Sequence, residues 1–91
     1  MTNNKPDFSL VYITDLDNNN YMQHVEVMRE NIKRIIRSSN LNQTILAKIV
    51  GVSRLTVKRF IGGNNNITFI TANKFNNFVY KVHEQGEDNL K

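Results

Sequence analysis

The sequence predicts a small, mainly α-helical domain of four to five helices behind a short N-terminal β-strand extension. Three observations point there. Apolar residues recur at helical spacing at Met22, Val25, Met28, Ile32, Ile35 and Ile36, and again at Phe69, Ala72, Phe75, Val79 and Val82. Between them, QTILAKIVGVSRLTVKRFIGG (Gln43 to Gly63) holds two short periodic segments separated by a glycine and a serine. Ahead of all three, Phe8 to Thr14 is rich in β-branched and aromatic residues.

The elements follow in order. Met1 to Asp7 is polar and without periodicity. Phe8 to Thr14, bounded by Pro6-Asp7 and by the turn-forming stretch Asp15 to Asn20, reads as a strand. A lone strand leaves its backbone groups unpaired, so it requires a partner. The choices are Ile67 to Thr71 or the same strand of a second subunit. The latter makes residues 1–20 a candidate dimerisation element, dispensable for folding because the helices carry their own apolar faces.

Helix 1 is expected from about Met22 to Ser38, with Arg29, Lys33, Arg34 and Arg37 largely outside its apolar stripe. Ser38-Ser39-Asn40 ends it, and Leu41 plugs the core from the loop. Helix 2 spans Gln43 to Val50 and helix 3 about Arg54 to Ile61. Leu46 and Val50 share one face, as do Val57 and Phe60. Gly51 takes the left-handed conformation that stops helix 2, and Ser53 caps helix 3. Gly62 to Asn66 reads as a flexible loop. Thr68 then caps a fourth helix from about Phe69 to Glu84; the competing reading makes Ile67 to Thr71 a strand. Domain organisation is therefore an extension at 1–20, a helical domain at 21–85 and a polar tail at 86–91.

Ala47 leaves space for helix 3 to cross helix 2 closely. Such a pair is a helix-turn-helix, whose second helix enters the major groove of DNA. From about Met28 to Val82 the chain resembles the lambda-repressor/Cro type of helix-turn-helix domain. The resemblance rests on Asn42-Gln43, Leu46-Ala47, Gly51-Val52-Ser53-Arg54, Thr56-Val57 and the closing Gly63. Two positions depart from the pattern: Ile61 replaces a common acidic residue, and Ile67 a common proline. The resemblance implies duplex-DNA binding, transcription regulation as a homodimer, and origin in a phage, plasmid or other mobile element.

Composition narrows the classes. Ninety-one residues with 40% hydrophobic content suit one domain. The absence of cysteine excludes disulfides, thiolate metal sites and thiol nucleophiles. No apolar run approaches the roughly 20 residues that span a bilayer, and the polar first residues do not resemble a signal peptide. A cytoplasmic protein is expected. The net charge of +4 is uneven. Residues 1–23 carry −2, residues 24–63 carry +6, and residues 64–91 balance. An excess placed on the two-helix motif reads as an electrostatic footprint for phosphates.

Because Val57 and Phe60 face inward, helix 3 offers Ser53, Arg54, Thr56, Lys58 and Arg59 on its other side. Arginine and lysine donate to guanine O6 and N7, and threonine meets a thymine methyl or a phosphate. Arg54, early in the helix, is the favoured base contact; Arg59 suits a base or a phosphate equally. Leu55 is assigned either to a thymine methyl or to a core or dimer surface. Gln43 and Thr44 begin helix 2, where free N–H groups and the helix dipole favour a phosphate. Asn64 to Asn66, Asn64 foremost, offer amides to the DNA backbone or a groove, although a solvated connector explains their loop better.

Catalytic chemistry is not expected. His24 and His83 have no carboxylate or cysteine at metal-ligand spacing, Gly62-Gly63 lacks a phosphate loop's spacing and lysine, and Ser53 has no histidine–acid pair. No cofactor, metal or small-molecule substrate is therefore assigned. Two rivals remain: an accessory DNA-binding factor for recombination, replication or transfer, and a protein-interaction module or inhibitor using the same fold.

Overall fold

A computed structural model describes residues 10–85. A 3₁₀ turn at Tyr21–His24 leads into α1 (Val25–Ser39), followed by α2 (Gln43–Val50), α3 (Arg54–Ile61) and α4 (Phe69–Gln85). No strand occurs among the described residues. α1 packs on α3 and α4, and α2 packs on the same two helices. Met28, Ile32 and Ile35 of α1 are fully buried with Leu46, Val57, Phe60, Phe75 and Val79. The Phe60 and Phe75 rings stack with centroids 4.3 Å apart, which fixes α3 against α4.

Local chemistry sets the helix boundaries. α1 stops at Asn40, which has the left-handed φ of 56°. The side chain of Asn42 accepts from the Ile45 N–H at 2.9 Å and starts α2. Gly51 (φ 93°) ends α2, with the Val52 N–H closing on the Ala47 carbonyl at 3.0 Å. Ser53 Oγ accepts from the Thr56 N–H at 3.0 Å and starts α3. α3 ends with Gly63 at φ 107°, where the N–H groups of Gly63 and Asn64 bond back to the carbonyls of Phe60 and Arg59. That pairing satisfies carbonyls the helix leaves open. Thr68 Oγ1 accepts from the Thr71 N–H at 3.2 Å, so Ile67 to Thr71 leads into a helix and not a strand.

Three expectations need correction. The first turn of helix 1 is 3₁₀, and Met22 is 51% exposed and off the core stripe. The loop after α3 is pinned and not free, as described below.

The third concerns the N-terminal strand. Phe8 and Ser9 lie outside the described residues; Leu10 to Ile13 form no strand but cross between α1 and α4. Buried Asn31 of α1 accepts from the Val11 N–H at 3.1 Å and donates to the Val11 carbonyl at 2.9 Å. Buried Asn76 of α4 accepts from the Ile13 N–H at 3.3 Å and donates to its carbonyl at 2.8 Å. Two carboxamides thus offer this segment the donors and acceptors of a neighbouring strand, at alternate residues. Ile13 enters the core, and the Tyr12 ring meets that of Tyr80 at a tilt of 46°, with centroids 4.7 Å apart. At Val11 and Ile13 the unpaired edge that motivated dimerisation is already paired within the subunit. Residues 10–13 thus pack within the subunit, against α1 and α4.

Candidate nucleic-acid interface

The exposed side of α3 is where the basic residues gather. Val57 and Phe60 are wholly buried, which turns Arg54, Leu55, Lys58 and Arg59 outward in two i, i+4 pairs. Leu55 is 52% exposed and so is not a core residue. No Asp or Glu occurs between Glu30 and Glu84, a stretch holding nine lysines and arginines. Arg54, Lys58 and Arg59 therefore have no sequence-local acid to neutralise them, and no ion pair ties them down among the described residues.

Ser53 and Thr56 are engaged differently. The Ser53 hydroxyl caps α3 and lies 2.9 Å from the Thr56 hydroxyl. Ser53 Oγ thus makes two hydrogen bonds within the protein and Thr56 Oγ1 one, and each keeps some capacity for a ligand. Gln43 is half-buried and Thr44 exposed at the start of α2. The cap from Asn42 takes one of that helix's open N–H groups, at Ile45.

Arg29 is the residue that sequence reasoning misplaced. Counted with the surface cations, it is only 3% exposed. Its Nε donates to the Phe60 carbonyl at 2.6 Å, and Nη2 donates to the Asn64 carbonyl at 2.9 Å and to Asn65 Oδ1 at 2.6 Å. Nη1 meets Glu26 Oε2 at 2.7 Å, and the guanidinium lies 5.1 Å from the Phe60 ring centroid. One side chain of α1 thus holds the end of α3 and the loop after it. Tyr21 supports the same loop through its hydroxyl, which donates to the Ile67 carbonyl at 3.1 Å. Asn64 Oδ1 accepts from the Asn66 N–H at 3.0 Å, so Asn64 is part of a built turn. The available signal was position: Arg29 follows Met28 and sits three residues before Ile32, at the edge of the apolar stripe.

The pinned loop and the start of α4 enclose, with α3, a polar cleft of about 150 Å³. Thr56, Arg59, Asn64, Asn66, Thr68 and Thr71 supply its polar groups. The structure brings Arg59, Asn64 and Thr56 together there, whereas Gln43 and Thr44 lie at the separate start of α2. Thr68 and Thr71 were not singled out as site residues, since their convergence with Asn66 depends on how Arg29 folds the loop. Lys74 of α4 donates to the Gly51 carbonyl at 3.0 Å and holds the end of α2 at the turn into α3.

Among the described residues, no group of three or more His, Asp or Glu is placed to hold a metal ion, and no helix is long and apolar enough to cross a membrane. Comparisons with protein-family models, curated proteins and solved structures give no match.

Proposed function

We propose that this chain is a sequence-specific duplex-DNA-binding regulator of transcription, a helix-turn-helix protein of the lambda-repressor/Cro type. It acts in the cytoplasm as a homodimer and represses by occupying a promoter, in a phage, plasmid or other mobile element. One observation carries the reading: a capped eight-residue helix presents Arg54, Leu55, Lys58 and Arg59 outward, with no ion pair to its cations among the described residues.

In this reading α3 lies in the major groove. Arg54 donates to a guanine edge, Leu55 packs on a thymine methyl, and Lys58 and Arg59 meet bases or flanking phosphates. Gln43, Thr44 and Asn64 approach the phosphate backbone from either side of α3, with Ser53 and Thr56 contributing their remaining hydroxyl capacity. Arg29 and Lys74 keep α3 and its flanking turns in place, so little ordering is left to accompany binding.

Selection of duplexes from a random pool by the purified protein tests the proposal. A recurring motif with two-fold symmetry is the expected result. Enrichment without any shared sequence would leave only non-specific attraction to phosphates.

A further inference from the structure

A second surface contains none of the residues proposed to touch DNA. Between the C-terminal half of α2 and the middle of α4 runs an open trough of about 470 Å³. Its floor is apolar, formed by the buried Val50 and Phe78. Its rim carries Ile49, 36% exposed, and Tyr80, 43% exposed. The Tyr80 ring is held by Tyr12, so this part of the rim is fixed.

The charges on the trough are ordered. Lys74 and Lys81 stand on α4 seven residues apart, two helical turns or about 10 Å. Asn77 lies between them on the same wall. Lys74 is positioned by its bond to the Gly51 carbonyl and keeps two further N–H groups for a ligand. Among the described residues, no acidic residue lines the trough.

Apolar surface framed by spaced cations does not match a phosphodiester backbone, which offers charge but no apolar face. It matches an amphipathic helix whose apolar residues fill the trough while carboxylates meet the two lysines. We infer that the α2–α4 trough is a docking site for a helix of a partner protein with acidic residues at i and i+7 around apolar residues at i+3 and i+4. Arg54, Lys58, Arg59 and the cleft beside them do not line the trough, so DNA and the partner helix bind together. The inference stands independently of the DNA reading.

The probe is a fluorescent, helix-stabilised peptide with Glu at i and i+7 and Leu at i+3 and i+4, titrated with the full chain. A control peptide has Lys in place of both Glu residues. The acidic peptide should bind, and Lys81→Glu should weaken it about tenfold or more, as expected for a close charge pair. The same variant should gain affinity for the Lys-bearing peptide. Circular dichroism of the variant should match the parent. Saturating the protein with duplex DNA should leave peptide affinity unchanged. Equal binding of both peptides by the parent protein, or no binding of the acidic one, overturns the inference. So does displacement by DNA together with weaker DNA binding by Lys81→Glu, which would assign the trough to nucleic acid. A Lys81→Glu-dependent change in the protein's own sedimentation mass would assign it to a second copy instead.

Discussion

Asn76→Ala should be among the most damaging substitutions of a polar residue in this protein. Asn76 is 2% exposed, and its carboxamide is bonded to both backbone groups of Ile13, at 2.8 and 3.3 Å in buried surroundings. Truncation leaves a buried N–H and a buried carbonyl without partners, at about 1–3 kcal/mol each. The longer bond belongs at the low end, so the expected loss is about 2–4 kcal/mol. Asn31 makes the equivalent pair at Val11, which is 54% exposed and open to replacement by water. Asn31→Ala should therefore cost less, about 1–2 kcal/mol. Asn76→Asp should be worse than alanine, because a carboxylate keeps the acceptor but sets a buried charge against the Ile13 carbonyl. The double alanine variant should lose less than the sum of the two, since releasing Ile13 already frees the segment. Urea unfolding followed by circular dichroism measures all four. An Asn76→Ala loss below about 0.5 kcal/mol, within the range of ordinary surface substitutions, would refute the idea that residues 10–13 are held as a strand is held. So would Asn31→Ala costing more than Asn76→Ala.

Other substitutions separate the remaining parts of the account. Arg29→Met should lower stability by about 1–3 kcal/mol, since it removes the Arg29 donor from the Asn64 carbonyl and leaves the Phe60 carbonyl with the Gly63 N–H alone; hydrogen exchange should show the loss concentrated at residues 60–67. Gly51→Ala meets no atom within 4 Å but imposes a side chain at φ 93°, at about 1–2 kcal/mol, read by thermal melting. Ser53→Ala removes the cap of α3 and should cost about 1 kcal/mol, again by melting. Exchanging Arg54, Lys58 and Arg59 for alanine should leave unfolding within about 0.5 kcal/mol per site while weakening any duplex contact they make.

The sequence was most informative where local chemistry decides the outcome. α2 and α3 begin and end where Asn42, Gly51 and Ser53 require, because caps and a left-handed residue act within one turn. α4 was legible from Thr68 and the spacing of Phe75, Val79 and Val82. Legibility failed where a polar side chain acts across the fold. Asn31 and Asn76 are separated by 20 and 63 residues from the backbone groups they satisfy, and nothing in their neighbourhood marks them as strand substitutes. Arg29 reads as a surface cation until α3 is placed above it. The outward residues of α3 followed from the burial of Val57 and Phe60 alone, whereas the cleft at Asn66, Thr68 and Thr71 required the loop's path.

The central claim is that the exposed face of α3 binds duplex DNA, and a salt titration of affinity tests it most directly. The parent protein and the Arg54/Lys58/Arg59 triple alanine variant would be measured on a selected duplex by fluorescence anisotropy, with circular dichroism confirming that both are folded. The account predicts that log affinity falls linearly with log salt for the parent, as displaced counterions require. The triple variant should bind more weakly, by about 1–3 kcal/mol for each lost base contact, and should show a shallower salt slope. Identical affinity and slope for the two proteins would contradict the claim, because the cations of α3 would then play no part in holding DNA.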